Sequence, residues 1–234
     1  MSFEPLKERV WRANVGIIEA QVVFLSWGNA SGIDRKAGVM AIKPSGVAYN
    51  KMKPEDMVVV SLNDGTVVDG KWRPSSDTDT HLHLYRSFRS IGGVIHAHSV
   101  NATAFAQAGR EIPCLGTTHA DSFYGAIPLT RQLTPEETQD DYELNTGKVV
   151  EECFNTRKLN PDHVPAALVY GHGAFCWGPT TEKALENAIV LEKTAEMALR
   201  TFLLAPKAQP IPAALVEKHF QRKHGPAAYY GQKS

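Results

Sequence analysis

Two histidines separated by one small residue, His96 and His98, have the clearest potential for chemistry in this sequence. They follow two glycines and the β-branched pair Val94-Ile95, a pattern typical of a short buried strand. Side chains two residues apart on a strand project to the same face, so both imidazoles are expected on one side and Ala97 on the other. Such a pair can supply two corners of a tetrahedral metal site.

A third histidine, His172, lies between Gly171 and Gly173 at the end of another predicted strand. Glycines let the backbone approach a neighbour closely, and functional residues collect at the ends of buried strands. Three histidines from two strands give the open arrangement of catalytic zinc, which leaves one position for a substrate. The alternative is a set of ordinary half-exposed histidines, and the sequence favours the metal site.

A second histidine pair, His81 and His83, has the same spacing but falls in a segment with a helical pattern. Residues two apart on a helix are separated by roughly 200° around its axis, so they cannot bind one ion together. We therefore predict that this pair is structural.

Three polar stretches contain hydroxyl, amide and ammonium groups of the kind that bind a phosphate dianion. They are Gly28-Asn29, Lys43-Pro44-Ser45-Gly46 and Ser75-Ser76, and each is expected to be a loop. Any one of them alone could simply form a turn. Neither G-x-x-x-x-G-K-[ST] nor G-x-G-x-x-G occurs in the sequence, so we expect no nucleotide cofactor.

Three further residues have both a structural and a functional interpretation when they are considered singly. Asp77 follows two serines and could cap a helix or supply a carboxylate to the metal. Asp121 could form an Asx turn, and Tyr230 lies close to the end of the sequence, where chains are often poorly ordered. The residue types alone favour the structural interpretation of each.

The composition is ordinary for a globular protein and limits the range of partners. Lys plus Arg and Asp plus Glu both total 25, so the formal net charge is zero, which argues against nucleic acid or an anionic membrane as partner. The acidic N-terminal segment does not resemble a signal peptide, and no apolar run is long enough to span a bilayer. The three cysteines form no C-x-x-C, so we expect buried, reduced thiols in a cytoplasmic protein.

The remaining pattern predicts an α/β domain with a largely antiparallel sheet. The Asn63-Asp64-Gly65 turn between two apolar runs indicates a hairpin over residues 57–68. The sequence around residues 26–32 and 116–121 is polar and is expected to form loops. Helices and strands are expected in alternation: helices at residues 5–20, 78–88, 101–107, 135–154, 181–204 and near Leu215, with further strands at residues 39–42, 92–99, 167–170 and 174–177.

Seven motifs in order, spanning the first helix to the last few residues, resemble the L-ribulose-5-phosphate 4-epimerases, a branch of the zinc-dependent class II aldolase superfamily. They are S-W-G-N-x-S, I-K-P-S-G-V-x-Y, P-S-S-D-T-x-T-H, I-G-G-V-I-H-A-H-S, G-T-T-H-A-D-x-F-Y-G, H-G-x-F-x-W-G and K-H-G-x-x-A-Y-Y-G-Q. The resemblance implies one catalytic domain over residues 1–234, a single three-layer α/β/α domain with a mixed, mostly antiparallel central sheet. It also implies a four-fold ring of subunits, with the tail from about residue 212 to 234 completing a neighbour's site.

The same resemblance implies a role for individual residues. One Zn²⁺ per subunit would be bound by His96, His98 and His172, with Asp77 as a labile or closely associated fourth ligand. Asp121 and Tyr230 would be the proton donor–acceptor pair, with His219 beside them in the same site. Phosphate and substrate contacts would come from the polar stretches, that is from Gly28, Asn29, Lys43, Ser45, Gly46, Ser75 and Ser76.

The implied reaction inverts C4 of L-ribulose 5-phosphate to give D-xylulose 5-phosphate, a step in pentose catabolism such as that of arabinose. The C4 hydrogen is β to the C2 carbonyl and is not acidic, so simple deprotonation fails. Cleavage of the C3–C4 bond instead gives the enediolate of dihydroxyacetone and glycolaldehyde phosphate, which rotates before aldol re-addition. A divalent cation would stabilise the enediolate as a Lewis acid.

Two other functions are compatible with parts of the pattern. An aldolase acting on L-fuculose 1-phosphate would release its two fragments, but in those enzymes Glu follows the serine pair, where this chain has Asp77. A non-catalytic scaffold of the adducin type is expected to lack the zinc histidines, and His96, His98 and His172 are all present. The sequence therefore favours the epimerase.

Overall fold

The computed structural model describes residues 2–226 and 228–229, and its helices and strands are interleaved along the chain. The helices are α1 (Glu4–Glu19), α2 (Thr78–Ser87), α3 (Val100–Gln107), α4 (Thr117–Ala120), α5 (Pro135–Gln139), α6 (Tyr142–Arg157), α7 (Thr181–Leu204) and α8 (Ala213–His224). The strands are β1 (Gly28–Asp34), β2 (Val39–Ile42), β3 (Val58–Ser61), β4 (Val67–Asp69), β5 (Gly93–Ala97), β6 (Ala166–Leu168) and β7 (Ala174–Gly178). Within the described residues, no helix is both long and apolar enough to cross a membrane.

The strands form one seven-stranded sheet in the order β4-β3-β2-β1-β5-β7-β6. Neighbouring strands pair antiparallel, which confirms the predicted α/β class with a largely antiparallel sheet. The predicted hairpin is present as β3 and β4, and Gly65 in its turn has a φ of +77°, a conformation that glycine adopts without strain. In the centre of the sheet, Asn29 of β1 pairs with His96 of β5, which pairs with Phe175 of β7.

Helices cover both faces of this sheet and produce the three expected layers. On one face, α1 and α7 pack against the central strands and against each other. On the other face, α2 and α6 pack together, and Phe88 and Phe154 contact Trp177 of β7. Apolar residues of all three layers form one buried core that extends from Leu6 to Ala198 along the chain. Burial of this apolar surface stabilises the layered arrangement.

The structure corrects three boundaries of the predicted elements. Residues 28–34 were expected to begin in a loop, but they form the central strand β1, because β2 pairs with one of its edges and β5 with the other. The polar stretch before Asp121 contains the short helix α4. The helix predicted over residues 135–154 is two helices, because Asp141 adopts a left-handed conformation with a φ of +51°.

Gly32 of β1 explains how α1 and α7 can pack so closely on the centre of the sheet. A Cβ on Gly32 would lie 2.5 Å from Cγ2 of Thr181 and 3.0 Å from Cγ2 of Val10, so glycine is needed for α1 and α7 to approach β1. Strand propensity is low for such a sequence, but the packing of both helices on the strand outweighs it.

Gly93 at the start of β5 is required by an even closer contact. A Cβ at this position would lie 2.6 Å from Cα of Thr181 and 2.7 Å from the carbonyl oxygen of Thr180, and a backbone cannot yield as a side chain can. We expect Gly93→Ala to lower the free energy of unfolding by about 3 kcal/mol, measured as a shift of the urea midpoint.

The control for this substitution is Gly116→Ala. Gly116 has an extended φ of −159°, and nothing lies within 4 Å of a Cβ built there. Its urea midpoint should stay close to that of the wild type. A Gly93→Ala protein that is equally stable would contradict the close contact between β5 and the start of α7.

Candidate metal centre and active-site cleft

Three imidazoles converge at one end of the central strands. His96 lies on β5, His98 follows the end of this strand, and His172 lies in the turn between β6 and β7. One ligand nitrogen from each residue lies within 4.8 Å of the others. The ring centroids are 4.8 Å apart for His96 and His98 and 4.9 Å apart for His96 and His172. The structure thus brings together the three histidines that the sequence predicts.

The His96 ring is held in a single orientation. It stacks on Phe175, its neighbour in the sheet register, with the ring centroids 4.3 Å apart and an interplanar angle of 19°. Its Nδ1 lies 3.1 Å from the carbonyl oxygen of Ala174 and donates to it when protonated. The lone pair of Nε2 is then free, and this atom lies 3.0 Å from Nε2 of His98.

This donor set fits a metal ion. Two ring nitrogens on tetrahedral zinc, each about 2.05 Å from the ion, would lie about 3.3 Å apart, close to the spacing of the two Nε2 atoms. Burial, and then the neighbouring His96, lower the pKa of His98 to about 4; burial and the other two histidines lower the pKa of His172 to about 3. Both rings are therefore neutral at pH 7, as metal ligands must be.

Glycines allow the turn that carries His172 to approach β5. Gly171 has a φ of +65°, which favours glycine, and its N–H donates to the carbonyl oxygen of Ala106 at 3.0 Å. A Cβ on Gly173 would lie 2.9 Å from the carbonyl oxygen of Ala97. A larger residue at position 173 would push the turn away from the strand that carries the other two histidines.

The side chain of Asp77 does not cap α2, so the helix-cap interpretation of this residue is wrong. It occupies the N-cap position, but its side chain makes no capping hydrogen bond. Its Oδ2 instead accepts a hydrogen bond of 2.6 Å from Nδ2 of Asn29. Burial raises the pKa of Asp77, but His96, His81 and Asn29 lower it more, so the carboxyl group is ionised beside the triad.

The other histidine pair is structural, as predicted. His81 and His83 lie on α2 and bind different partners. Nδ1 of His81 lies 2.7 Å from Oγ of Ser31 in the core, whereas Nε2 of His83 lies 2.7 Å from a carboxylate oxygen of Glu151 on α6. The helix therefore separates two imidazoles with the same sequence spacing as His96 and His98.

The three polar stretches lie side by side. The N–H of Ser75 donates to the carbonyl oxygen of Lys43 at 2.9 Å, and the N–H of Ser45 donates to that of Arg73 at 3.0 Å. Asn29, which is in β1 and not in a loop, donates to Oγ of Ser75 at 3.1 Å. Together the three stretches form a polar ridge, from which the exposed residues Ser45, Gly46 and Ser76 can contact a ligand.

Lys43 is buried, unlike most lysines. Its ammonium group donates to the carbonyl oxygen of Pro44 at 3.2 Å and lies 4.9 Å from the centre of the Tyr49 ring. Burial lowers the pKa of Lys43, and a partly desolvated ammonium group gains more from a bound anion than an exposed one does.

A cleft of about 730 Å³ opens over the triad and is lined in part by residues that the sequence did not indicate as functional. Asp77, Ser76 and Gly28 line it together with the histidines. Trp27, Thr103, Gln107, Tyr142 and Glu143 also line the cleft. Trp27 belongs to a quoted motif, but the other four lie on α3 and α6, and their sequence carries no signal for a site.

Asp121 and His219 form a separate cluster. Oδ1 of Asp121 lies 3.0 Å from Nδ1 of His219 and accepts from Nε of Arg222, whose Nη2 donates to Oδ2 at 2.6 Å. Burial raises the pKa of Asp121, but Arg222 and His219 lower it more, so the group is a carboxylate at neutral pH. Neither Asp121 nor His219 lines the cleft of its own chain. Tyr230 lies outside the described residues.

The fold and the site together define a class of protein. The family model described as Class II Aldolase and Adducin N-terminal domain matches residues 8–199. The chain belongs to this family. It is also 54% identical over 230 residues to L-ribulose-5-phosphate 4-epimerase UlaF of Salmonella paratyphi B (strain ATCC BAA-1250 / SPB7), covering 98% of this chain and 100% of that protein. The protein of the same name from Salmonella typhi is equally similar, with the same coverage.

Solved structures with low sequence identity share the fold. A structure described as L-fuculose 1-phosphate aldolase superposes with a TM-score of 0.80 at 23% identity, covering 95% of this chain and 97% of that one. L-fuculose 1-phosphate aldolase from Glaciozyma antarctica PI12 superposes with a TM-score of 0.72 at 19% identity, covering 94% and 81% of the two chains. These similarities extend the fold assignment to nearly the whole chain.

The two histidine pairs provide a matched test of the metal centre. His98→Gln should weaken Zn²⁺ binding by more than about 100-fold, because it removes one of three converging nitrogens. His83→Gln makes the same change in the pair on α2 and should leave binding unchanged. Competition with a chromogenic chelator measures both affinities. Equal losses in the two variants, or none in His98→Gln, would exclude the triad as the metal site.

Proposed function

We propose that this chain is a zinc-dependent epimerase that converts L-ribulose 5-phosphate into D-xylulose 5-phosphate by cleaving and re-forming the C3–C4 bond. The observation that carries the proposal is the convergence of His96, His98 and His172 at the floor of a cleft. Support comes from the full-length similarity to proteins named as L-ribulose-5-phosphate 4-epimerases. An adducin-like scaffold would have no need of three converging imidazoles.

Zinc is the metal that this donor set suits best. Three imidazoles leave one or two open coordination positions for a substrate, and Asp77, which lies beside His96, would be a labile or closely associated fourth ligand. When bound, the ion would supply Lewis-acid stabilisation for the negative charge of the enediolate. The residues of the chain then have to bind the substrate, hold its phosphate and move protons.

The ridge of polar stretches is suited to holding the phosphate of the glycolaldehyde fragment. We assign this role to the hydroxyls of Ser45, Ser75 and Ser76, with Lys43 as the nearby cation, while Gly28, Asn29 and Gly46 complete the substrate contacts. Ser75 links two of the stretches through its backbone and side chain, so the ridge is a connected structure. A phosphate held there would keep the fragment in the cleft while its aldehyde group rotates.

Two acid–base groups are required, because the C4 oxygen lies on opposite sides before and after rotation. We assign them to Asp121 and Tyr230, with His219 holding the Asp121 carboxylate. Since Asp121 and His219 do not line the cleft of their own chain, they would serve the cleft of a neighbouring subunit. This assignment treats residues 1–234 as a single class II aldolase-like catalytic domain in a four-fold ring, with the tail from about residue 212 completing the neighbour's site.

The reaction itself is the first test. Protein loaded with Zn²⁺ should convert L-ribulose 5-phosphate into D-xylulose 5-phosphate without a nucleotide cofactor, and exhaustive chelation should abolish the conversion. An aldehyde-trapping reagent should capture little glycolaldehyde phosphate during turnover. Accumulation of free aldehyde would identify an aldolase that releases its fragments, and undiminished activity after chelation would contradict a metal-dependent mechanism.

The acid–base pair is tested by Asp121→Asn and Tyr230→Phe. Each should lower kcat by about 100-fold or more while Zn²⁺ content stays unchanged, since general acid–base groups contribute factors of that size. Asp162→Asn is a suitable control, because Asp162 accepts from Ser90 on the surface.

Mixing two inactive variants tests the shared site. When subunits of His98→Gln and Asp121→Asn are dissociated and reassembled together, some interfaces combine an intact triad with an intact Asp121, and activity should return. If the mixture stays inactive although mixed assemblies form, the two groups do not act in a site between subunits.

A further inference from the structure

The contact that orients the His172 ring differs from the one that orients the His96 ring. Ala174 on the neighbouring strand supplies the carbonyl oxygen for Nδ1 of His96. The corresponding nitrogen of His172 lies 3.2 Å from the hydroxyl oxygen of Tyr142, the first residue of α6. When Nε2 of His172 binds a metal ion, Nδ1 must carry the ring proton, and the hydroxyl oxygen accepts it.

His172 also lacks the stacking support that His96 has. The His96 ring lies flat on Phe175, whereas the His172 ring meets Phe175 edge-on, with centroids 6.4 Å apart and an angle of 84°. His172 is half-buried in a turn, whereas His96 is buried in the sheet. The χ2 torsion of histidine has a broad energy minimum, so a ring in a turn needs a polar partner to fix its rotation.

The start of α6, which carries Tyr142, is held by contacts with α2. Oγ1 of Thr80 donates to the carbonyl oxygen of Glu143, the residue after Tyr142, at 2.5 Å. A Cβ on Gly147, one turn further along α6, would lie 2.9 Å from Cβ of His83, so the two helices are in close contact. Helix α2 therefore fixes the backbone of the helical turn from which the Tyr142 side chain projects.

We propose that Tyr142 is the positioning residue for His172, accepting its Nδ1 hydrogen so that Nε2 faces the metal ion. This proposal rests on the metal-binding part of the proposed function and does not depend on which sugar phosphate is the substrate. Tyr142 does not bind the ion itself. It reduces the rotational freedom that His172 would lose on binding, and it increases the basicity of the ligand nitrogen.

Tyr142→Phe removes the hydroxyl and keeps the ring. Loss of an outer hydrogen-bond partner of a metal-bound histidine costs about 10–100-fold in metal affinity. We expect a decrease in that range for Zn²⁺, measured by chelator competition without substrate, together with faster Zn²⁺ release.

Tyr170→Phe is the matched control, because Tyr170 lies two residues before His172 in the chain and its ring packs over Gly109. It should bind Zn²⁺ as the wild type does. The melting temperatures of the metal-free Tyr142→Phe and wild-type proteins should agree. A Tyr142→Phe affinity within about three-fold of the wild type overturns the proposal, and so does an affinity loss accompanied by a lower metal-free melting temperature.

The outcomes also separate this proposal from the proposed function. If the wild type binds Zn²⁺ tightly through the triad but does not epimerise L-ribulose 5-phosphate, the substrate assignment fails and the Tyr142 prediction is still tested by affinity. If the wild type epimerises its substrate and Tyr142→Phe retains full Zn²⁺ affinity, only the role of Tyr142 is excluded.

Discussion

The convergence of three imidazoles is the constraint on which the site depends. Burial and the neighbouring imidazoles lower the pKa of His98 and His172. Such a cluster is unfavourable unless a cation binds it or the fold forces it together. Here the fold holds the cluster together, because the antiparallel pairing of β5 and β7 fixes His96 beside Phe175 and the turn that carries His172 beside Ala97.

The surrounding structure follows from what this cluster requires. Small residues in β1 let α1 and α7 cover one face of the sheet closely, which leaves the opposite face for Asn29, His96 and the helices α2 and α6. Asp77 at the start of α2 and Tyr142 at the start of α6 then reach the triad from two helix ends. Helix ends are well suited to this purpose, because they present side chains at the edge of a rigid element.

The contacts within one chain bring together only part of the proposed site. Asn29 connects Asp77, which lies beside the histidine triad, to the polar ridge, because it donates to both Asp77 and Ser75. The carboxylate of Asp121 instead bonds to His219 and Arg222 on α8, in a cluster with its own small apolar core that includes Val216. In the proposed assembly, this cluster would serve the cleft of a neighbouring subunit.

Local patterns in the sequence determined the histidine strand, the β3–β4 hairpin, the long helix α7 and the structural nature of His81 and His83, because strand and helix periodicity and turn chemistry act over a few residues. Tertiary packing decided what those patterns could not. It made Gly28–Asp34 a central strand despite its low strand propensity, directed Asp77 to Asn29 instead of a helix cap, and brought Tyr142 to His172. Each of these depends on residues distant in the chain, whose contacts form only when the sheet and its two helical layers pack together.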